Sequence, residues 1–508
     1  MCLSLFLLWL VSIPFSVHAL PDAQGVAINC GASEEITEEG IRWIVDEGMI
    51  NVGQKTTLDT PHLMPILTTL RHFSEESSKK YCYEIPAIKG EKYLVRTTYY
   101  YGGYDGGKIP PVFDQIIDGI KWSVVNTTED YAKGLSSYYE IIVAATTGKL
   151  SVCLARNEYT MSAPFISALE VNTLTKTLYN TTDFKKNALS TIARNNFGNV
   201  SELLRFPDDP FNRYWQPFVD VKDMPVNSKE NVTRTKFWNL PPELVFATGV
   251  TASRGKTLDL DWPPMSLPSG NYYIALYFQD NRTPSPYSWR VFDVLINGKT
   301  FYKDLNVSTD GVTVFAPQWP LSGMTKLSLV PDDKAMVGPI INAGEILQVV
   351  PLGKRTVARD VKAMEKVSRS LKNPPPDWRG DPCMPKEYAW TGVTCVQGKY
   401  AAITALNLTG LGLSGELSPS INKLTALTSL WVGENKLTGP IPDMGRLSKL
   451  ASLHLEDNQF TGQIPVSLGN LRSLHELSIQ KNNLDGQVPE TLKNKPGLTI
   501  DPSKHITK

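Results

Sequence analysis

Histidine and cysteine are scarce in this chain, with six of each among 508 residues. No histidine forms an H-E-x-x-H pattern, and none stands beside cysteines at a spacing typical of a metal site. The G-x-S-x-G nucleophile motif is also absent from the sequence. These absences argue against metal-dependent and serine hydrolases, and we expect no enzyme activity, no cofactor and no metal.

Net charge and long apolar runs are lacking as well. The 51 acidic residues balance the 51 basic ones, so no basic face indicates a nucleic-acid partner. An apolar run extends from Leu3 to Val17 and is followed by small residues ending at Ala19. At about 15 residues it is shorter than the ~20 that a membrane span needs. It therefore predicts a secretory signal peptide over residues 1–19 rather than an uncleaved anchor, with no span left after cleavage.

A repeated pattern occupies residues 403–498. Four copies of L-x-x-L-x-L-x-x-N-x-L/F-x-G-x-I/V-P, the first one degenerate, place Leu406, Leu430, Leu453 and Leu477 at spacings of 24, 23 and 24 residues. This period is typical of leucine-rich repeats, which must stack because one turn cannot bury its own apolar side. The pattern predicts a short α/β solenoid that binds a partner, with a simple spacer as the alternative.

Two short motifs inside this region suggest other functions but have structural explanations. The G-x-G-x-x-G sequence at residues 410–415 falls in the loop of the first repeat, without the strand and helix that a dinucleotide site requires. The Arg-Gly-Asp tripeptide at residues 379–381 lies within a segment bounded by tryptophan and cysteine. We interpret both as parts of the repeat architecture.

The larger N-terminal part has short alternating strands separated by glycine turns, which is typical of a β-sandwich. Three segments of the first half recur in the same order in the second half. The pairs are 93–101 with 272–278, 112–119 with 291–298, and 163–170 with 338–345. The sequence therefore predicts two tandem sandwich lobes.

Several motifs resemble a known family. The W-R-G-D-P-C segment at 378–383 and the W-T-G-V-T-C segment at 390–395 precede the repeats, and upstream come I-N-C-G at 28–31, Y-Y-Y-G-G-Y-D-G at 99–106 and P-F-I-S-A-L-E at 164–170. Together they resemble the ectodomains of plant malectin-like leucine-rich-repeat receptors of the symbiosis-receptor-kinase type. The resemblance implies a mainly β chain with two malectin-like jelly-roll lobes followed by the solenoid.

On this basis we divide the chain into seven segments. We expect a signal peptide at 1–19, a first lobe at 20–180, a second lobe at 181–352, and a helix with a proline-rich linker at 353–376. We expect a cysteine-bonded cap at 377–402, the four repeats at 403–498, and a tail at 499–508.

Malectin binds a glucose disaccharide through aromatic side chains and an aspartate, so the resemblance implies a carbohydrate site in the lobes. Flat aromatic faces stack on sugars while a carboxylate accepts hydroxyl hydrogen bonds. A protein or peptide interface at the same loops is the alternative, because alternating tyrosines on a strand are half core. The candidate residues are Tyr100, Tyr101, Tyr104 and Asp105 in the first lobe, and Tyr277, Asp280 and Tyr287 in the second.

The concave face of the solenoid offers a second candidate surface. Side chains between the strand leucines point to this face, and a tryptophan beside a histidine and acids is a plausible binding hot spot. The candidate residues are Trp431, His454, Glu456, Ser478 and Gln480.

Cysteines and glycosylation sequons fit an exported protein. The family-like block implies a disulfide bond between Cys383 and Cys395. Among Cys30, Cys82 and Cys153, one cysteine must remain free or pair with another chain. We favour a bond between Cys82 and Cys153, because both lie on predicted strands. Seven sequons predict N-glycans at Asn126, Asn180, Asn199, Asn231, Asn281, Asn306 and Asn407.

These features predict a secreted, glycosylated receptor-like recognition protein of the plant apoplast or cell surface. Its ligand would be a cell-wall carbohydrate or a peptide. Because the chain reaches Lys508 without a membrane span or kinase after the repeats, we expect it to act with a membrane receptor kinase in trans, as co-receptor or decoy. The alternative is an inhibitor of a cell-wall-degrading hydrolase. A sandwich glycosidase would need two paired carboxylates, which sequence alone does not identify.

Overall fold

The computed structural model describes residues 25–75, 78–200, 203–220, 224–227, 237–280 and 289–500. The predicted signal peptide and the tail beyond residue 500 lie outside these ranges. Within them, no helix combines the length and the apolar composition that a bilayer crossing requires.

The first lobe is built almost entirely from strands, as its alternating pattern predicts. Its strands are β1 (Gly25–Asn29), β2 (Ile36–Glu38), β3 (Ile41–Val45), β4 (Gln54–Thr57), β5 (Thr69–His72), β6 (Lys80–Pro86), β7 (Lys92–Tyr99), β8 (Val112–Ile117), β9 (Ile120–Asn126), β10 (Ser137–Ala144), β11 (Lys149–Ala155), β12 (Phe165–Ile166) and β13 (Ala168–Leu174). A short helix, α1 (Thr128–Lys133), follows β9, and a 3₁₀ turn spans Pro65–Leu67.

The second lobe has the same character. Its strands are β14 (Asn187–Phe197), β15 (Gln216–Phe218), β16 (Met224–Asn227), β17 (Thr248–Thr251), β18 (Leu258–Asp261), β19 (Leu267–Phe278), β20 (Arg290–Ile296), β21 (Lys299–Val307), β22 (Val312–Gly323), β23 (Lys326–Pro331), β24 (Ile340–Ile341) and β25 (Ala343–Pro351). A 3₁₀ turn spans Glu243–Phe246.

One continuous sheet joins the two lobes. Its order is β2-β3-β1-β13-β7-β10-β14-β25-β19-β22, with β15 beside β14, and the lobes meet where β10 pairs with β14. Ile141 and Ile142, at that junction, are both fully buried although they point to opposite faces. The sheet is therefore covered by protein on both sides at its centre, where β10 and β14 meet.

The outer sheets confirm that the lobes are tandem copies. The order β6-β11-β8-β9 in the first lobe corresponds to β18-β23-β20-β21 in the second. The strands matched in sequence, β7 with β19 and β8 with β20, occupy the same places in their lobes. The mainly β fold with two malectin-like lobes and a solenoid is thus the one expected.

The solenoid follows in the third part of the chain. Its elements are α2 (Ala358–Ser370), β26 (Val393–Gln397), β27 (Ala401–Asn407), β28 (Ser414–Glu416), β29 (Ser429–Trp431), β30 (Lys436–Pro440), β31 (Ser452–His454), β32 (Gln459–Gln463), β33 (Glu476–Ser478), β34 (Asn483–Asp485), α3 (Glu490–Lys493) and β35 (Thr499–Ile500), with 3₁₀ turns at Lys386–Tyr388, Pro419–Lys423 and Val466–Asn470. Strands β27, β29, β31, β33 and β35 form a parallel ladder, which extends one rung beyond residue 498.

In each of the last three repeats, the asparagine of the pattern closes the turn. The Asn435 amide accepts from Leu413 N at 2.8 Å and donates to Leu408 O at 2.8 Å, and Asn458 receives Leu437 N at 2.9 Å in the next repeat. These buried amides satisfy backbone groups that would otherwise lack partners.

Helix α2 has a different role from the one expected. The sequence predicts a helix and a linker between the lobes and the solenoid, but Ala363, Met364 and Val367 are fully buried in the same core as the repeat leucines. The helix therefore covers the first repeat, whose apolar side would otherwise face water.

Candidate functional site

The aromatic loop of the first lobe is mainly a packed cluster. Tyr101 is 2% exposed, and its ring packs edge-on against Tyr104 and Tyr131 at centroid distances of 5.5 and 4.8 Å. The Tyr101 hydroxyl donates to Asp105, and the Tyr104 hydroxyl donates to Ala163 O at 3.1 Å. Burial raises the pKa of both phenols. The two phenolic hydroxyls expected to bind a sugar are thus already bonded to protein atoms, Tyr101 within the loop and Tyr104 to Ala163 outside it.

Tyr100 is shared between two apolar groups. It packs against the core that contains Tyr101 and also against a second apolar group that contains Trp43, Ile66 and Phe206. The second contact follows from the two-residue alternation of an extended chain, which turns Tyr100 away from Tyr101. The predicted set of Tyr100, Tyr104 and Asp105 therefore does not converge on one ligand.

The candidates of the second lobe are buried. Tyr277 is fully buried on β19 and donates to Glu345 Oε2 at 2.7 Å, and Asp280 is 4% exposed and pairs with Arg290 at 2.8 Å. Because β19 lies inside the joined sheet, its side chains face protein on both sides. These two residues are not accessible to a ligand, contrary to our expectation, and Tyr287 lies outside the described residues.

The concave face of the solenoid does bring its candidates together. The parallel register aligns Asn407, Trp431, His454 and Ser478 in one row across four strands. The Trp431 and His454 rings lie 6.0 Å apart, nearly perpendicular. Trp431 is half-buried, so one large aromatic surface remains open to solvent at the centre of the row.

A hydrogen-bonded chain fixes these side chains. Trp431 Nε1 donates to Ser452 Oγ at 2.9 Å, and Ser452 Oγ donates to Glu476 Oε2 at 2.7 Å. His454 lies between two carboxylates, 3.2 Å from Glu476 and 3.4 Å from Glu456. The Ser452 hydrogen bond is the largest cause that lowers the pKa of Glu476. The row is therefore held in place before any partner arrives.

Glu456 lies over Gly433, where a side chain would clash: a Cβ there would approach the Glu456 carboxylate to 2.7 Å. Its atom Oε2 is enclosed and has no hydrogen-bond partner within the described ranges, and the same holds for Oε1 of Gln480 in the next repeat. Both oxygens are closed off from solvent, so they are not open acceptors for a ligand at this end of the row.

A buried ionic network at the junction of the lobes is a feature that sequence reasoning missed. Arg96 bonds Glu140 at 2.6 Å and Glu170 at 2.8 Å, while Arg194 bonds Glu140 at 2.6 Å and Glu345 at 2.7 Å. Burial alone would raise the pKa of Glu140, but Arg194 and Arg96 outweigh it and hold the pKa below its usual value. The sequence does carry a signal for this network, because β7 and β14 each contain a basic residue and β10 and β25 each contain an acidic one within otherwise strand-like segments.

The solenoid cap is docked on the first lobe. The structure contains the disulfides Cys82–Cys153 and Cys383–Cys395, and Cys30 is a buried free thiol. Gly380 belongs to the cap and adopts a φ of +70°. It lies so close to the disulfide of the first lobe that a Cβ at this position would be 3.3 Å from Cys153 Sγ.

Two hydrogen bonds continue the contact between cap and lobe. Lys80 Nζ donates to Asp381 O at 2.7 Å, and burial lowers the pKa of Lys80 to about 8. Tyr388 donates to Asp114 at 2.8 Å. The Arg-Gly-Asp tripeptide is therefore part of this joint.

The predicted glycosylation sites divide into three groups. Asn126, Asn180, Asn306 and Asn407 are exposed. Asn199 is only 7% exposed, so its amide is poorly placed to carry a glycan. Asn231 and Asn281 lie outside the described residues.

Metal binding has no structural support in the described part of the chain. No group of three or more histidine, cysteine, aspartate or glutamate side chains there is arranged to hold an ion.

The chain is similar to known protein families and to several known proteins. The sequence profile of the malectin-like domain matches residues 28–349, and that of a leucine-rich repeat matches residues 449–471. A probable leucine-rich-repeat receptor-like serine/threonine-protein kinase of Arabidopsis thaliana is 31% identical over 474 residues, which cover 85% of this chain and 48% of that protein. A second such kinase of the same plant is 28% identical, covering 84% and 49%. The chain thus spans about half the length of these relatives.

Solved structures share the fold of the lobes. The ANX2 ectodomain of Arabidopsis thaliana aligns with a TM-score of 0.54 at 17% identity, covering 64% of this chain and 97% of that one. A structure of the plant peptide RALF23 in complex with FER and LLG2 contains a chain that aligns with a TM-score of 0.52 at 16% identity, covering 64% and 95%.

Proposed function

We propose, from the premise that this chain belongs to the malectin-like domain family, that it is an extracellular recognition protein whose solenoid binds a peptide or protein partner. It would be secreted and glycosylated, and it would work with a membrane receptor kinase at the plant cell surface. The kinase activity of the relatives is not transferred to it, because the chain spans only half of their length.

The observation that carries this proposal is the concave row with Trp431 at its centre. Binding energy in interfaces concentrates in a few aromatic side chains surrounded by fixed neighbours. Trp431 is held by Ser452, and Ser452 is held by Glu476. Because these bonds exist without a partner, little side-chain freedom remains to be lost on binding.

Two comparisons support a receptor setting. The relatives are receptor-like kinases, and a protein with the same lobe fold forms a complex with a peptide and a further protein. The exposed sequons Asn126, Asn180, Asn306 and Asn407 fit passage through the secretory pathway.

The test compares three proteins made in a plant secretory system: wild type, Trp431→Ala and the control Tyr400→Ala. Tyr400 is an exposed aromatic of the cap, outside the concave row. Partners retained by wild type from cell-surface extracts are identified, and their affinities are then measured by calorimetry. We expect Trp431→Ala to lose about 2 kcal/mol, roughly thirtyfold in affinity, and Tyr400→Ala to lose none. Equal binding by all three proteins would contradict the proposed site.

A further inference from the structure

The edge strands of the lobes differ in how well they are protected against another chain. The outer backbone groups of an edge strand have no partner within the sheet, so proteins shield them with charge, short length or a cover. The sheet that joins the lobes ends at β2 and β22, and each outer sheet also ends in two strands. Within the described residues, five of these six edges are shielded. They are β2, which is short and contains Glu38, β6, which lies under the cap, β9 with Lys121 and the sequon at Asn126, β18 with Asp259 and Asp261, and β21 with Lys303, Asp304 and the sequon at Asn306.

The sixth edge, β22, is open over part of its length. It has 12 residues, none of them charged, and it pairs only with β19 in the part of the chain that the structure describes. Pro317 and Pro320 interrupt its second half, where the register against β19 also shifts. The first half, residues 312–316, pairs with β19 without interruption. Its outer edge therefore offers a regular row of backbone donors and acceptors.

The side chains of residues 312–316 are apolar or uncharged. Val312 and Val314 pack in the core of the second lobe. Phe315 lies on the other face of the strand, where its ring stacks on that of Trp238 at a centroid distance of 4.8 Å, and it remains 36% exposed. An uncharged edge with an open aromatic ring is the kind of strand that a second chain extends by main-chain pairing.

The strand is complementary to a second copy of itself. When two copies pair antiparallel about a two-fold axis at Val314, Val314 faces Val314, Thr313 faces Phe315, and Val312 faces Ala316. No charges oppose each other, and β-branched and aromatic pairs stabilise such ladders. Residue 317 then faces residue 311, beyond the paired stretch, so neither proline removes a hydrogen bond from it.

The same register brings opposite charges together. Asp310 precedes β22 and would face Gln318 of the second copy, beside a groove lined by Lys299 and Trp319. Asp310 and Lys299 are both exposed, and neither has an ion-pair partner among the residues that the structure describes. The two-fold axis forms this contact twice. Each copy thus supplies the charge that the other lacks, which favours a second copy over an unrelated peptide.

We propose that this chain forms a symmetric dimer in which the β22 strands of two copies pair antiparallel and continue the large sheet from one copy into the next. The interface is separate from the concave row around Trp431. A dimer carries two solenoids, so a partner with two binding segments can engage both and is held more tightly than by one.

The test measures the mass of the full glycosylated chain by sedimentation over a concentration series, together with hydrogen exchange at residues 312–316. Phe315→Lys places two like charges beside the axis, at an exposed position. Val330→Lys is the matched control, because Val330 is 37% exposed on β23, which is not an edge strand. Lys299→Glu and Asp310→Lys, made singly and together, test the register. Thermal melting verifies that each variant folds.

We expect wild type to dimerise, and its amides at 312–316 to exchange more slowly as the protein concentration rises. Phe315→Lys should weaken the dimer by about tenfold or more, whereas Val330→Lys and Trp431→Ala should dimerise like wild type. Each single charge reversal should weaken the dimer by a few-fold, and the combined reversal should restore it. If Phe315→Lys does not melt like wild type, the charge reversals decide alone.

The proposal is overturned if wild type remains a monomer up to roughly 100 μM. It is also overturned if a well-folded Phe315→Lys dimerises like wild type, or if the combined reversal binds no better than the single ones. Dimerisation without slower exchange at residues 312–316, or its loss in Trp431→Ala, would place the interface elsewhere and overturn it too.

Discussion

The hydroxyl of Tyr388 lies 2.8 Å from the carboxylate of Asp114, although 274 residues separate them in the chain. Tyr388 belongs to the solenoid cap and Asp114 to the outer sheet of the first lobe. Asp114 is fully buried and is also bonded by Lys121 at 2.5 Å and by Asn157 at 2.7 Å. The cap therefore completes a polar cluster that starts in the lobe.

The first prediction concerns this contact. Tyr388→Phe removes one hydrogen bond to a buried charge, and we expect a loss of about 1–3 kcal/mol in the docking of the cap. Hydrogen exchange of the peptides covering residues 377–402 should become faster, while exchange in the second lobe stays the same. Tyr400→Phe is the control, because Tyr400 is exposed on the same cap. Unchanged exchange in Tyr388→Phe would mean that this bond does not hold the cap.

The second prediction concerns the junction of the lobes. Glu140 is buried between Arg96 and Arg194, so Glu140→Gln leaves an uncompensated positive charge in the interior. Breaking such a pair typically costs about 3–5 kcal/mol. Chemical denaturation should show this loss, and Glu129→Gln, on the exposed surface of α1, should show almost none. A small effect of Glu140→Gln would indicate that water reaches the network.

Sequence reasoning predicted the parts of this molecule that repeat. The leucine spacing around Leu430 and Leu453 predicts the solenoid because each repeat makes the same local contacts. The matched segments of the two lobes predict the duplication for the same reason. Local pattern also predicted helix α2, although not the core in which Met364 is buried.

The remaining features depend on contacts between distant segments. Tyr277 is an ordinary strand tyrosine in sequence, and only the joined sheet shows that it is buried. The hydrogen bond between Tyr138 and Gln216 forms because the two lobes meet, which no local pattern records. Asn199 has a perfect sequon, yet its burial depends on the strands around it.

The third prediction concerns pH. Asp118 is half-buried as a residue, but its oxygen Oδ2 is enclosed and has no hydrogen-bond partner among the described residues. Burial raises the pKa of Asp118 to about 6 from a usual 3.8; hydrogen bonding by Ser151 and the charge of Arg355 oppose the shift. At a pH between these two pKa values, Asp118 is protonated in the folded protein but ionised in the unfolded chain. The free energy of unfolding should therefore fall as pH rises from about 4 to about 6.

Asp118→Asn removes this dependence, because the amide does not ionise. Asparagine also tolerates the φ of +46° at this turn and can still accept the Ser151 N–H. As the pH rises from 4 to 7, the free energy of unfolding of the variant should increase relative to that of wild type by on the order of 1 kcal/mol or more. Urea denaturation across this range measures the difference, and parallel curves for the two proteins would show that Asp118 is not protonated in the folded state.

The fourth prediction concerns the turns of the solenoid. Asn435 is 8% exposed, and its amide bonds Leu413 N, Leu408 O and Val432 O at 2.8–3.0 Å. Asn435→Ala leaves these backbone groups buried without a partner, and each such group costs about 1–3 kcal/mol. Since neighbouring repeats share their interfaces, the loss should spread through the repeats.

The control for this variant is Asn483→Ala. Asn483 is exposed on β34, and its side chain makes no such bond to the turn backbone. Hydrogen exchange should therefore accelerate from residue 403 to residue 465 in Asn435→Ala and remain unchanged in Asn483→Ala, while the lobes are unaffected in both. If Asn435→Ala exchanges like wild type, the leucine core alone holds the repeats together, and the asparagine only shapes the turn.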